Sequence, residues 1–127
     1  AMHRSRVYAV IIDVPESTAA RAAEFWAAAL GATAAPFPPA PHFTTLHGAL
    51  PGLITAVQAV DDAPRTHLDF ETDNVAAETA RLTALGAQEI AHWQECRVLR
   101  APGGHVLCVL PVESDAETFR TQATVWP

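Results

Sequence analysis

The 127-residue sequence contains no lysine, only two cysteines and no long apolar run. Without lysine, the chain has no side chain for a Schiff base and none to clamp phosphate in a P-loop. The eight basic residues are all scattered arginines and the formal net charge is −6, so no basic stripe exists to bind a nucleic-acid backbone. No apolar run approaches the roughly 18 residues that a membrane helix needs. We therefore expect neither nucleic-acid nor membrane binding.

The few cysteines also indicate the compartment. Cys96 and Cys108 have no disulfide framework around them, and each is read as a buried apolar thiol. The N-terminal His3, Arg4 and Arg6 precede a strand pattern rather than the apolar segment of a signal peptide. We expect a cytoplasmic protein. Its length, with 50% apolar residues, fits a single domain over residues 1–127.

Apolar periodicity predicts a first group of elements in the N-terminal half. β-branched and apolar residues predict a strand at 7–14, and Ser17 is a candidate N-cap for a helix that ends at Leu30 before Gly31. The proline-rich segment 36–41 predicts a loop or a bent edge, followed by strands at 42–47 and 53–60. The apolar stripe of the helix comprises Ala22, Phe25, Trp26, Ala29 and Leu30.

The same kinds of element then recur. Residues 66–71 alternate with strand periodicity, and Asp73 or Asn74 can cap a helix that runs to Leu85 before Gly86. Strands are predicted at 87–93, 96–100 and 105–111, and a short helix from Glu113 to Phe119. The inward stripe of the second helix comprises Val75, Thr79, Leu82 and Leu85.

The order of elements is therefore strand, helix and three strands, twice. The first module covers about residues 6–60, the second covers about 66–112, and a tail follows at 113–127. Leu30-Gly31-Ala32 aligns with Leu85-Gly86-Ala87, and the first helix is three residues longer. Because neither half can bury its own sheet face, the duplication indicates that the halves pair.

This duplication resembles the glyoxalase, bleomycin-resistance and extradiol-dioxygenase superfamily, also called the vicinal oxygen chelate fold. The resemblance covers residues 7–111 and lies in three stretches: AVIIDVPESTAARAAEFWAAALGA, THLDFETDNVAAETARLTALGA and the closing turn and strand APGGHVLCVL. It implies an α+β fold in which two βαβββ modules form curved mixed sheets around a cup-shaped pocket. It also implies a homodimer, with the cup completed within one chain or across two. The reaction is not implied, since the family includes metal enzymes and metal-free binding proteins.

The metal-ligand positions of the resembled enzymes lie on the first and last strand of each module. The first strands usually supply His or Gln, and the last strands usually supply Glu. His67 occupies this ligand position on the first strand of the second module. Ala9 occupies the equivalent position on the first strand of the first module, 58 residues earlier. On the last strands, Cys108 stands where glutamate is usual, and its counterpart is Gln58 or, by a shifted register, Ala56.

In this set only His67 is a usual metal ligand at its position, so we expect no cofactor and no intact catalytic metal site. A divalent metal, if one binds, would use His67, Gln58 and Cys108. The other interpretations of His67 are a hydrogen-bonded pocket or core imidazole, a ligand contact, and a general base.

Four further residues are candidates for a small-molecule site, each with an alternative. Trp93 ends a strand in a polar setting and can line a pocket rim, and Phe43 can flank the mouth of the cup; ordinary packing is the alternative for both. Asp69 follows His67 on the same strand face and either contacts a ligand or lies at a solvated sheet end. Arg97 and Arg100 point to opposite sides of one strand, so at most one enters the cup.

Two functions remain open. The first is a metal-independent protein that binds an apolar or aromatic small molecule, similar to antibiotic-sequestering resistance proteins, through His67, Gln58, Cys108, Trp93, Phe43, Asp69 and Arg97. The second is an enzyme, such as a lyase, isomerase or dioxygenase-like protein, that uses His67 as metal ligand or general base. The depleted ligand positions favour binding over catalysis.

Overall fold

The structure, a computed structural model, describes residues 2–127 and contains two compact units. The first unit is Ala9–His67, and the second combines the residues up to Tyr8 with Leu68–Pro127. The elements in chain order are β1 (His3–Pro15), a 3₁₀ turn (Glu16–Thr18), α1 (Ala19–Leu30), β2 (Thr33–Pro36), β3 (Phe43–His47), β4 (Ile54–Val60), β5 (Arg65–Thr72), α2 (Val75–Ala84), β6 (Gln88–Trp93), β7 (Cys96–Arg100), β8 (Val106–Pro111), α3 (Ala116–Gln122) and β9 (Thr124–Trp126). The order strand, helix and three strands occurs twice, which confirms the α+β class and the βαβββ repeat. Among the described residues, no helix has the length and hydrophobicity required to cross a membrane.

The first unit is a mixed sheet with α1 on one face. Its strands lie in the order β2-β3-β4-β1, antiparallel except for β4 with β1. The core contains Val14, Leu46 and Val57 from the sheet and Ala23 from α1, and Trp26 packs against it. Because side chains alternate along a strand, the neighbours of Val14 and Val57 point to the face away from α1. We call this the inner face of the first unit; it carries Ala9, Ile11, Asp13, Phe43, Ala56 and Gln58.

The start and stripe of α1 differ from prediction. Residues Glu16–Thr18 form a 3₁₀ turn, the helix begins at Ala19, and Ser17 is not its cap. The Thr18 hydroxyl instead donates to the Pro15 carbonyl, which stabilises the turn. Phe25 was predicted in the core but is 61% exposed, because Trp26 occupies the helix surface that meets the sheet. The two rings contact edge to face at 5.1 Å.

The proline-rich segment was predicted as a loop or bent edge, and its first residue belongs to an edge strand. Pro36 ends β2, which lies at the edge of the sheet beside β3, so its missing N–H removes no central hydrogen bond. The chain then turns, with the Ala40 amide donating to the Phe37 carbonyl and the Phe43 amide to Ala40. The short strand was missed because Thr33–Pro36 has alanines where apolar alternation would have been visible.

The second unit repeats this plan with α2. Its strands lie in the order β5-β8-β7-β6, with β5 parallel to β8 and the other pairs antiparallel. Leu99, Leu107 and Val109 form a core against Val75 and Leu82 of α2. Asn74 is the helix cap, since its side chain accepts from the Ala77 amide. Leu85 was predicted to face inward but is 69% exposed, because the chain already leaves the helix there.

The C-terminal tail is more structured than the predicted short helix. The helix α3 begins one turn later than expected, capped by Asp115, whose side chain accepts from the Thr118 amide. It is followed by β9, which pairs with His3–Ser5 of β1 and was not predicted. Trp126 donates from Nε1 to the Ser5 hydroxyl, and the Arg81 guanidinium lies 3.7 Å from its ring centre.

Candidate functional site

The inner face of the first unit places a carboxylate against an imidazole. Asp13 near the end of β1 and His67 on β5 are both buried, and the Asp13 Oδ2 to His67 Nδ1 distance is 2.7 Å. Arg65 Nε donates to the same oxygen at 3.0 Å. The sequence did not reveal this contact, because the two residues lie on different strands, 54 positions apart.

Gln58 and Phe43 lie beside Asp13 on this face. Gln58 is in register with Asp13 across the β4–β1 pair and with Phe43 across the β3–β4 pair. Residues in register point to the same side of a sheet, so the three side chains share the inner face of the first unit. Gln58 and Phe43 are both half-buried. The first unit therefore brings together three of the predicted site residues: His67, Gln58 and Phe43.

The strand register determines which residue is the counterpart of Cys108. In the second unit Asp69 pairs with Cys108, and 58 residues earlier Ile11 pairs with Ala56. Ala56 therefore occupies the position equivalent to Cys108, while Gln58 lies two residues further along. Ala9, equivalent to His67, is 1% exposed and Ala56 is 3% exposed. The first unit thus has buried methyl groups at both positions where the resembled enzymes supply metal ligands.

The second unit has a corresponding inner face, opposite α2. Leu99, Leu107 and Val109 pack toward α2, so alternation turns Cys108 and Val98 to the other side. Cys96 and Trp93 are a register pair at the end of the β6–β7 hairpin and point to this same side. The inner face of the second unit therefore carries Asp69, Cys108, Val98, Cys96 and Trp93. Trp93 is 69% exposed at its edge.

The two cysteines lie together on this face. The Cys108 thiol is in hydrogen-bond contact with Cys96, and this contact, burial and the nearby Asp69 carboxylate raise its pKa. Cys108 is therefore protonated at neutral pH, which makes it a poor nucleophile. Burial raises the pKa of the neighbouring Tyr8, with a further contribution from Asp69. Sequence reasoning treated Cys96 as ordinary core and did not single out Tyr8; their spacing carries no signal until the hairpin register is known.

Arg97 lies on the opposite face from these groups. It is in register with Val109, a residue that packs toward α2, and its guanidinium donates to Glu89. Of the two arginines in this strand, Arg100 has the side-chain parity of Cys108, and it donates to the Gly104 carbonyl. We therefore leave Arg97 out of the candidate site.

Possible metal donors are concentrated along β5. His67 and Asp69 are two residues apart on this strand and share a face, and Asp69 is paired with Cys108. These three side chains are a candidate ligand group among the described residues. The set combines an imidazole, a carboxylate and a thiol, which are donors that suit a softer divalent ion such as zinc better than a hard ion that prefers oxygen ligands. A set with one imidazole, one carboxylate and one thiol differs from the His, Gln and Glu ligands of the resembled enzymes.

The comparisons with known proteins agree with the fold. A solved structure of an NAD-dependent benzaldehyde dehydrogenase from Legionella pneumophila matches with a TM-score of 0.60 and 14% identity, covering 82% of this chain and 99% of that chain. A methylmalonyl-CoA epimerase from Mycobacterium tuberculosis matches with a TM-score of 0.53 and 15% identity, over 84% of this chain and 87% of that chain. At these identities the likeness concerns the fold alone.

A third match involves a much larger protein. The structure described as a xylose isomerase-like TIM barrel/4-hydroxyphenylpyruvate dioxygenase fusion protein has a TM-score of 0.58 and 19% identity, over 94% of this chain and 21% of that chain. The search of curated protein sequences gives no match. The family model for the glyoxalase-like domain matches residues 9–110, most of the chain. The chain therefore belongs to the glyoxalase-like domain family, within the superfamily that its repeat resembles.

Proposed function

We propose that this chain is a metal-independent binding protein for a small molecule with a flat apolar or aromatic part. The observation that carries the proposal is the pair of alanines, Ala9 and Ala56, at two positions where the resembled enzymes supply ligands. A methyl group cannot coordinate a metal, and both side chains are buried, so no longer side chain fits there without repacking.

Trp93 supports the binding role. An indole that is 69% exposed presents a large flat apolar surface to solvent. It lies on the inner face of the second unit, next to Cys96, with the Asp69 carboxylate further along the same face. A ligand that stacks on the indole would bury this surface, and Asp69 would accept a hydrogen bond from a polar group of the ligand. Sequestration of an aromatic antibiotic is one form that this function would take.

Two measurements test the proposal. The first is the metal content of the purified protein, as isolated and after incubation with zinc, nickel or manganese followed by desalting; we expect less than stoichiometric metal in every case. The second is quenching of tryptophan fluorescence by tetracycline and by 8-anilinonaphthalene-1-sulfonate. We expect quenching in the wild type and in Trp126→Phe, and loss of most of it in Trp93→Phe.

Stoichiometric metal that disappears in His67→Ala would overturn the metal-independent function. Quenching that persists in Trp93→Phe would remove Trp93 from the ligand site. Trp126→Phe is the matched control because Trp126 packs against Arg81 and Ser5 in the second unit rather than on the inner face.

A second candidate function is proton transfer by His67, and one observation favours it. The 2.7 Å contact with Asp13 is the carboxylate–imidazole geometry that orients a general base. In that case a molecule bound at the inner face of the first unit is a substrate, and His67→Gln would abolish its turnover while it leaves its binding intact. Loss of both properties together would instead indicate a contact that serves binding.

The homodimer remains a prediction from the resemblance. We expect sedimentation equilibrium to give a mass of twice the 13.5 kDa chain, and a monomer at micromolar concentration would contradict this.

A further inference from the structure

The second unit also contains a groove on the side of α2, between this helix and the C-terminal strand β9. Its volume is about 640 Å³, within the range of roughly 300–1,000 Å³ that is typical of small-molecule sites. Most of the wall is apolar, and the apolar side chains that line it include Ala77, Ala80, Ala84, Leu85 and Trp126. The polar lining side chains are His3 and Arg81, so the groove suits an apolar molecule with a small polar part.

The sheet and the helix hold the groove in shape without a ligand. His3 on β1 and Trp126 on β9 are in register, so their side chains point to the same side, toward α2. Trp126 Nε1 donates to the Ser5 hydroxyl at 2.9 Å, and the Arg81 guanidinium of α2 lies 3.7 Å from the centre of the indole ring. The indole is therefore fixed against the helix on one side and against β1 on the other.

The two polar side chains of the groove each have an unsatisfied nitrogen. His3 is 6% exposed, and its Nδ1 has no hydrogen-bond partner among the described residues. Arg81 donates to Glu78 from Nε at 2.8 Å and from Nη2 at 2.7 Å, whereas its Nη1 has no partner within residues 2–127. Unpaired polar atoms cost free energy, so a molecule that supplies the missing partners gains affinity.

The Glu78 carboxylate determines which partners are missing. Burial raises the pKa of this carboxyl, but its hydrogen bonds, led by those from Arg81, bring the pKa below its usual range. His3 Nε2 lies 2.7 Å from Glu78 Oε1 and must donate to it, so Nδ1 of the neutral ring is an acceptor. Arg81 Nη1 is a donor. Because Glu78 balances the charge of Arg81, the pair provides no net charge to attract an ion.

We propose that this groove is a second binding site, for a neutral and mostly apolar small molecule that carries a hydroxyl or a primary amide. Such a group can accept from Arg81 Nη1 and can donate to His3 Nδ1, whereas a carboxylate only accepts and an ammonium only donates. The apolar part packs against the alanine methyl groups and the Trp126 ring. The site goes beyond the proposed function, because it lies on the α2 side and does not involve Trp93.

The test compares hexan-1-ol, hexanoate and hexylammonium, which share one alkyl chain, at pH 8 with the 127-residue protein. The readout is the indole N–H region of a ¹H–¹⁵N correlation spectrum, which contains one signal for each of the three tryptophans. The Trp126 signal is assigned from its absence in Trp126→Phe. We expect hexan-1-ol to shift it saturably, with a dissociation constant about fivefold or more below those of the two ions. The Trp93 signal should not follow this titration.

A substitution in the helix wall blocks the groove without disturbing its polar side chains. Ala80→Leu enlarges an exposed lining residue and should abolish the Trp126 shift. Ala76→Leu is the matched control, because it makes the same change at an exposed position of α2 that does not line the groove, and it should bind like the wild type. Leucine is a good helix former, so we expect both variants to fold.

The absence of a saturable shift, equal affinities for the three probes, or binding that persists in Ala80→Leu would each overturn the proposal. A Trp126 signal that moves with protein concentration alone would also overturn it, since a second copy of the chain would then cover the groove. The probes have no aromatic ring and the readout is Trp126, so a failure of aromatic compounds to bind at Trp93 leaves this result unaffected. The two proposals therefore fail separately.

Discussion

The two repeats place a buried carboxylate at the same position of their first strands, and they use it differently. Asp13 of β1 and Glu71 of β5 lie 58 residues apart, and both side chains are fully buried. Each accepts from an arginine: Asp13 from Arg65 Nε at 3.0 Å, and Glu71 from Arg6 Nε at 2.7 Å. The common plan is an inner-face carboxylate paired with an arginine.

The difference lies in the remaining acceptor sites. Glu71 also accepts from the Ser114 hydroxyl at 2.7 Å and from the Ser114 and Glu113 amides at 2.9 Å, so it fixes the start of the tail. Asp13 takes one further donor, the imidazole of His67, and its Oδ1 has no hydrogen-bond partner among the described residues. In the second repeat the Glu71 carboxylate stabilises the start of the tail. In the first repeat the Asp13 carboxylate contacts the His67 imidazole, which is a group that can act as a general base.

Replacement of Glu71 is the largest expected effect. Glu71→Gln removes the charge that compensates Arg6, whose side chain is only 11% exposed. We expect a loss of about 3–5 kcal/mol in the free energy of unfolding, because an uncompensated charge stays buried. Urea denaturation measures it. Glu117→Gln, which breaks the exposed Glu117–Arg120 pair, is the control and should cost less than about 0.5 kcal/mol.

The same carboxylate predicts an acid-sensitive stability. Burial raises the pKa of Glu71, but the hydrogen bonds from Arg6 and Ser114 outweigh burial and bring this pKa below its usual 4.5. A carboxyl group whose pKa is lower in the folded state stabilises fully above its unfolded pKa and loses this contribution as pH falls through the folded one. We therefore expect stability to decline below pH 4.5, and the decline to be shallower in Glu71→Gln. Equal slopes would show that Glu71 does not contribute.

Glu78 also has a lowered pKa, so the decline of stability with falling pH should not disappear in Glu71→Gln. Its carboxylate accepts from Arg81, Ser5 and His3, and these hydrogen bonds outweigh burial and lower its pKa. The residual slope in Glu71→Gln should therefore diminish further in the double variant with Glu78→Gln. A double variant no flatter than the single one would contradict this assignment.

Asp13→Asn should cost less than Glu71→Gln. Arg65 is half exposed and regains hydration when the carboxylate is lost, and His67 is not obliged to carry a charge. We expect a loss of about 1–3 kcal/mol in urea denaturation. Asp62→Asn should be within about 0.5 kcal/mol of wild type, since its pair with Arg65 is exposed. A cost for Asp13 equal to that of Glu71 would mean that both carboxylates are structural.

The sequence predicted the repeat because periodicity and turn residues are local signals. It also placed Ala9 and His67 at equivalent positions. It could not decide between Gln58 and Ala56, because they point to the same face and differ by two residues of strand register, which is fixed by pairing with β1, far away in the sequence. The thiol contact and the Asp13–His67 contact were missed for the same reason. Phe25 was misplaced because an apolar stripe does not show which of two adjacent large residues packs against the sheet, and Leu85 was misplaced because the helix ends before it.

Replacement of Trp93 should have the smallest effect on stability. It would separate residues that stabilise the fold from residues that bind a ligand. With 69% of the residue exposed and only a hairpin end beneath it, Trp93→Ala should change the free energy of unfolding by less than about 0.5 kcal/mol. If a flat ligand stacks on the indole, its affinity should fall by about 1 kcal/mol, roughly fivefold. Titration calorimetry with tetracycline, alongside urea denaturation of the same variant, separates the two quantities. An unchanged dissociation constant would remove Trp93 from the ligand site, and a large loss of stability would place Trp93 with structural residues such as Glu71.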